Sequence, residues 1–151
     1  MPQKQVLREH AFTQGLSEAQ IDRLAGIAKP VAFEDDEVIL VDGARSTSFF
    51  LVLTGSVVVE LRAPRYVVTV QALGPGNVFG WSALLEDQDT LFQVRARERT
   101  TALQIDGATL KTYCMSDPEL GAEFLHRILR VVAGRVKATE LRFAEMCGIK
   151  V

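Results

Sequence analysis

Between Val31 and Leu103 the apolar residues come in short continuous or alternating runs, broken by Gly, Pro and Asp about every ten positions. On either side of that stretch they recur every three to four residues instead. A period of two gives a strand one apolar face, and a period near 3.6 lays an apolar stripe along a helix. Strands are therefore predicted at 31–33, 37–40, 48–54, 56–62, 66–73, 91–96 and 101–106, several of them rich in β-branched residues. Thr54-Gly55 marks a tight turn between two of these strands. Pro64 separates a second hairpin pair, with Arg62 and Arg65 at its solvated tip. Short strands at this spacing are the mark of a β-sandwich or barrel.

Helical signals flank the strands. Ser17 is a good N-cap, and Gln20 at the third helical position completes a capping box, so a helix is predicted over about 17–28, with Pro30 ending it. After Asp106 a short helix is predicted near 108–115. The run Ser116-Asp117-Pro118-Glu119 then supplies a cap followed by proline at the first helical position, opening a long helix to about 145. Along it Leu120, Phe124, Ile128, Val131 or Val132, Arg135 or Val136, and Thr139 recur at helical spacing, and Leu125 and Leu129 widen the stripe. So broad a stripe implies two buried faces, one on the barrel and one on a second copy of the same helix, giving a two-fold homodimer. The alternative is a monomer whose barrel takes up the whole stripe.

Composition narrows the class. A length of 151 residues, 48% hydrophobic and 24% charged, suits one soluble globular domain over 1–151. A net charge of −2 gives no general basic footprint, which disfavours direct nucleic-acid binding and requires a local site for any anionic ligand. Cys114 and Cys147 are too few for a disulfide framework and lack metal-ligand spacing. No apolar run reaches the roughly 20 residues of a membrane span, and residues 1–10 are too polar for a signal peptide. A cytoplasmic, non-membrane protein is the expectation.

The run Leu73-Gly74-Pro75-Gly76-Asn77-Val78-Phe79-Gly80-Trp81-Ser82-Ala83-Leu84 lies between predicted strands and reads as a phosphate cradle. Glycines that open into one helical turn let backbone N–H groups converge on an anion without interference from Cβ atoms. A jelly-roll metalloenzyme is the competing chemistry, but its strands would need clustered His and carboxylate ligands, and the predicted barrel has no histidine. Enzyme activity is not expected. His10 and His126, in predicted helical regions, are read as structural.

With Phe33-Glu34-Asp35-Asp36-Glu37-Val38-Ile39-Leu40, Asp42-Gly43, Phe49-Phe50-Leu51-Val52-Leu53-Thr54-Gly55-Ser56-Val57 and the glycine run in order, the chain resembles the cyclic nucleotide-binding domain of bacterial Crp/Fnr-type regulators over about residues 12–139. The resemblance implies an α+β protein. Its antiparallel β jelly roll (double-stranded β-helix) would carry an N-terminal helix and a long C-terminal helix, with the long helix closing a ligand pocket. It also implies a ligand-binding turn, and places candidate pocket residues at Phe79, Gly80, Trp81, Ser82, Ala83, Leu84, Thr90 and Leu91.

This chain departs from the family at the charged contacts. Where nucleotide-binding members carry a glutamate that holds the ribose, the matching residue is Trp81; their phosphate-clamping arginine and the small residue after it fall on Thr90 and Leu91. Removing a charge-assisted contact to a buried anion costs about 2–5 kcal/mol, so cyclic AMP or cyclic GMP binding is expected to be weak or absent. Asp87 and Asp89 would repel a phosphate if they face the pocket. Backbone donors of 80–83 and the Ser82 hydroxyl leave room for another small ligand, anionic or neutral. Trp81 either stacks on a ligand ring or fills the space left by the lost ribose contact. Arg95 and Arg97 alternate onto the face opposite Phe92, Val94 and Ala96, so they replace the clamp only if the register differs. Arg135, Lys137 and Thr139 are read either as a lid or as a solvated helix face.

Regulators of this type carry a C-terminal helix-turn-helix. Only eight residues follow Phe143, so this chain resembles a stand-alone form, and its output is expected to pass through a protein partner or its own assembly. The expected function is a regulatory or sensory domain in which ligand binding at 79–84 repositions the long helix. The competing expectation is a ligand-free dimerising interaction module with a vestigial pocket.

Overall fold

The computed structural model describes residues 2–85 and 89–150. Asp87, weighed above as a phosphate-repelling group, lies outside the described residues. The elements in order are helices α1 (Gln3–Glu9) and α2 (Glu18–Ala25), then strands β1 (Ala28–Phe33), β2 (Val38–Leu40), β3 (Ser48–Thr54), β4 (Val57–Arg62), β5 (Val67–Leu73) and β6 (Val78–Phe79). A 3-10 turn (Trp81–Leu84), β7 (Gln93–Ala96), β8 (Thr100–Asp106), and helices α3 (Gly107–Ser116) and α4 (Pro118–Met146) complete the chain.

The strands form two antiparallel four-stranded sheets, ordered β1-β8-β3-β6 and β2-β7-β4-β5. The fold is therefore an antiparallel β jelly roll with N-terminal helices and a long C-terminal helix.

β3 shows how the layers are built. Its run Phe49-Phe50-Leu51-Val52 is buried on both faces. Phe49 and Leu51 join Leu7, Phe12, Ile21, Leu24, Leu110 and Phe124 in a core between the first sheet and the helices. Phe50 and Val52 point the other way, joining Val57, Val59, Phe79, Val94 and Ala102 inside the roll. A strand buried on both faces must read as a continuous apolar run rather than an alternating one. Phe12, Phe49 and Phe124 meet with ring centroids 5.1 to 5.5 Å apart, which ties the α1–α2 connection, the sheet and α4 together.

The helix termini follow their side chains. Ser17 and Gln20 form the expected reciprocal capping box on α2. Asp106 accepts from the Thr109 N–H at 3.0 Å to start α3, and Asp117 accepts from the Leu120 N–H at 3.2 Å to start α4, with Pro118 at the first position.

The structure differs from the pattern reading in four places. α1 lies ahead of the bounded helix prediction at 17–28, in a stretch whose helical character is noted only at His10; its N-cap, Pro2, makes no side-chain cap hydrogen bond, and Leu7 is its one buried residue. α2 ends at Ala25 rather than near 28, because the chain turns there into β1. Pro30 lies within β1 instead of ending a helix, and a proline is tolerated there because β1 is an edge strand. β6 is only two residues long, too short for any period to register.

Candidate functional site

The glycine run is divided between two sides of the molecule. Its first half is a tight turn in which the Asn77 carboxamide oxygen accepts from the Gly74 N–H at 2.9 Å and the Asn77 N–H donates to the Gly74 carbonyl at 3.0 Å. This half faces a hollow of about 350 Å³ lined by Phe12, Arg127 and Arg130. The second half starts at Gly80, whose φ of 84° is left-handed, and where a Cβ would collide with the Ser48 carbonyl oxygen. The Ala83 N–H donates to Gly80 O and the Leu85 N–H to Ser82 O, each at 3.0 Å, which closes the 3-10 turn. The turn is held from below by α3: a Cβ at Gly107 would run into the Ala83 carbonyl.

Gly80, Trp81 and Ser82 form one wall of a cavity of about 400 Å³. Leu40, Val59 and Val94 of the second sheet form its floor, the segment Asp89, Thr90, Leu91 and Phe92 its side, and Val132, Arg135, Val136, Thr139 and Glu140 of α4 its lid. The surface is mostly aliphatic and aromatic with a few polar groups, the usual make-up of a small-molecule site. Val132 and Val136 also line a groove on the outer side of α4, with Leu129, Ala133 and Leu141. The lid is thus one layer of side chains thick at those positions.

Of the residues picked out in the sequence, Gly80, Trp81, Ser82, Thr90 and Leu91 come together at this cavity, and Phe79, Ala83 and Leu84 do not line it. Phe79 is fully buried within the roll, stacked on Phe50 at 4.8 Å. Ala83 lies against Gly107, and Leu84 packs on the helix-side core. The Thr90 hydroxyl accepts from the Phe92 N–H at 3.1 Å, and Leu91 is 75% exposed.

The arginines separate clearly. Arg95 faces away from the cavity and pairs with Glu60 at 2.9 Å and Asp36 at 2.7 Å. Glu60 is only 4% exposed at its side chain; the Arg95 hydrogen bond holds its carboxylate below the ordinary glutamate range, against the opposing effect of burial. Arg97 and Lys137 are exposed, and Arg62 pairs with Asp42 at 2.8 Å.

Arg135 is the cation that enters the cavity. Its Nε donates to the Gln71 side-chain oxygen at 2.9 Å, and its guanidinium lies 6.0 Å from the Trp81 ring centroid and 5.8 Å from that of Phe92. Burial pushes its pKa below the ordinary arginine value. The sequence leaves Arg135 open between lid and solvated face. The available signal was a charged residue in register with the stripe Phe124, Ile128, Val131.

His10 is buried and structural. Its Nδ1 accepts from the Phe12 N–H at 3.1 Å, so Nε2 carries the proton and donates to the Val52 carbonyl at 2.9 Å. His126 is exposed on α4.

A jelly roll with an apolar cavity, a glycine-started turn on one wall and a helix across its mouth has the architecture of a small-molecule-binding domain. The cyclic nucleotide-binding domain family profile matches residues 30–117, and the chain belongs to that family. Domains of this family are regulatory rather than catalytic. A solved structure described as a cyclic nucleotide-binding protein from Geobacter metallireducens GS-15 is 24% identical, covers 90% of this chain and 99% of its own, and superposes with a TM-score of 0.79. The regulatory subunit of a cAMP-independent protein kinase A from Trypanosoma brucei is 19% identical, with a TM-score of 0.71 over 94% of this chain and 49% of its own. That structure carries a glutamate-to-alanine, a threonine-to-arginine and a valine-to-alanine substitution and is bound to cAMP in its A site. Both likenesses establish the fold. Among curated relatives, a potassium channel protein of Rhodopseudomonas palustris is 27% identical over 134 residues, and the match spans 88% of this chain but 31% of that protein. Among the described residues no helix is long and apolar enough to cross a membrane.

Proposed function

We propose that this chain is a cytoplasmic regulatory domain that senses a small molecule in the cavity between the roll and α4. The observation that carries the reading is the cavity itself, about 400 Å³ with a largely apolar lining and a wall supplied by the lid helix. The first half of α4 is anchored: Leu120 and Phe124 are fully buried, and Arg127 donates to the Phe12 carbonyl at 2.6 Å and to the Gln14 carbonyl at 2.9 Å. The second half meets the roll through Arg135 and the valines of the lid. An occupant that binds one helix position better than another shifts the population of the second half, and that shift is the output.

Trp81, Thr90 and Leu91 stand where the family's ribose and phosphate contacts fall, so cyclic AMP and cyclic GMP are poor ligands in this reading. A protein partner would receive the signal.

One further observation supports self-association. Leu125, Leu129, Val132, Val136, Thr139, Phe143 and Met146 follow one another at alternating spacings of four and three. Leu129 and Phe143 are 65% and 68% exposed. That is a heptad seam suited to a second copy of α4. It is also the feature that favours the second reading, a ligand-free dimerising module.

The test is the thermal midpoint, with amide exchange along 131–146, across a panel of cyclic nucleotides, nucleosides and aromatic acids. A ligand at about 100 times its Kd adds about 2.7 kcal/mol, a rise of roughly 5–10 °C at this size. A panel that moves neither the midpoint nor the exchange, on a protein that remains dimeric, supports the ligand-free module instead.

A further inference from the structure

The cavity holds a positive charge on its lid. Of the five N–H donors of Arg135, the one on Nε is used by Gln71. Among the described residues no carboxylate pairs with this guanidinium, and no acceptor meets its Nη groups. The Nη groups are not sealed from solvent, because among the described residues the one fully buried side-chain nitrogen without a partner is Arg127 Nε. Gln71 on the Nε side and the two rings at about 6 Å hold the planar fork over the cavity.

Around this cation the walls are apolar: Trp81, Phe92, Leu40, Val59, Val94 and Val132. Asp89 and Glu140 also line the cavity, but both are exposed, where water and salt screen them. A half-buried guanidinium with free parallel donors beside aromatic surface matches a two-oxygen anionic head on a flat apolar body.

We propose that the ligand is an organic anion, an aromatic or similarly flat molecule carrying one carboxylate, sulfonate or phosphate, whose charge is met by Arg135 from the lid rather than by the turn. This rests on the reading of the cavity as a ligand site. It reverses the polarity of the pocket: the charged head lies against α4, and the apolar body lies on Val59 and Val94. The ligand's charge is then bonded directly to the movable half of the helix, so the group recognised is also the group that pulls the lid.

The test compares two fluorescent probes that share one ring system, anilinonaphthalene sulfonate and its uncharged parent N-phenylnaphthylamine, on the intact chain. The wild type is expected to bind the sulfonate at least tenfold more tightly than the parent, with slowed amide exchange at 131–139. Arg135→Gln should erase that preference by weakening the sulfonate about tenfold to a hundredfold, as expected for a lost charge-assisted contact. Binding of the neutral probe should stay within about twofold, a readout that loss of structure would also move. Arg135→Lys should restore part of the preference, since it returns the charge without the fork. Equal affinities in the wild type, or a preference that survives in Arg135→Gln, overturn the assignment. If the neutral probe protects 131–139 without any charge preference, the cavity reading stands and the anion assignment falls. If neither probe protects 131–139, both fall.

Discussion

Placing a cation at the side of the cavity tests the correspondence proposed for Thr90 and Leu91. In Thr90→Arg/Leu91→Ala the new guanidinium enters a cavity wall, while the backbone hold on that residue is retained, because the Thr90 carbonyl accepts from the Gly43 N–H at 2.6 Å. The change forfeits the Thr90 hydroxyl's bond to the Phe92 N–H and removes a leucine that is already exposed, so both structural losses are small. A charge-assisted contact to a phosphate in a partly dry site is worth about 2–5 kcal/mol. The site is partly open to water, and Asp89, screened but adjacent in the chain, opposes part of the gain, so the lower end applies, about 2 kcal/mol or roughly a thirtyfold gain in affinity. Titration calorimetry with cyclic AMP, and with adenosine as the uncharged comparator, measures it. The double variant should gain about thirtyfold for cyclic AMP and less than threefold for adenosine. A gain below threefold for cyclic AMP, or an equal gain for both, would show that position 90 does not face the bound phosphate, and the correspondence drawn for Thr90 would be wrong.

Gly80→Ala forces a side chain into a left-handed φ beside the Ser48 carbonyl; at about 3 kcal/mol the midpoint should fall by roughly 6–12 °C by calorimetry, and a change under 2 °C would contradict the close approach. Burial holds His10 below its ordinary value of 6.5, so its contribution is complete above that pH and is lost as pH falls through the lower folded value. Glu60, lowered first by its bond to Arg95, contributes fully above 4.5 and loses that contribution on further acidification. Urea midpoints against pH should therefore decline in two windows, with His10→Gln flattening the upper and Glu60→Gln reducing the lower; an unchanged profile in either variant refutes its assignment. Leu129→Glu places a charge on the α4 seam and should convert a dimer to a monomer in sedimentation equilibrium, while a wild type that is monomeric at tens of micromolar would remove the seam from consideration.

Much of the fold was legible in the sequence because burial leaves a periodic trace. The double-faced run at Phe49–Val52 and the capped starts of α2 and α4 depend on local chemistry and were read directly. α1 was not, since seven residues with one buried leucine carry almost no periodic signal. β6 escaped because two residues have no measurable period. At the site, contiguity in sequence misled. The alternation of a strand sends Phe79 into the roll, and the 3-10 turn carries Ala83 and Leu84 toward α3 and the helix-side core, off the cavity wall that Trp81 and Ser82 form. Arg135 was ambiguous because a wide helical stripe does not disclose which flank faces the roll. That choice is made by packing against β5, where Gln71 waits.

The lid at Val132 and Val136 is a partition with no interior of its own. A side chain there has one volume, shared between the hollow it walls and the groove it presents outward. Enlarging it to suit an occupant also reshapes the outer relief; trimming it to suit a neighbour enlarges the chamber. Substitutions at these two positions therefore cannot tune ligand fit and surface fit as separate traits, and lineages that change one must change the other in the same step.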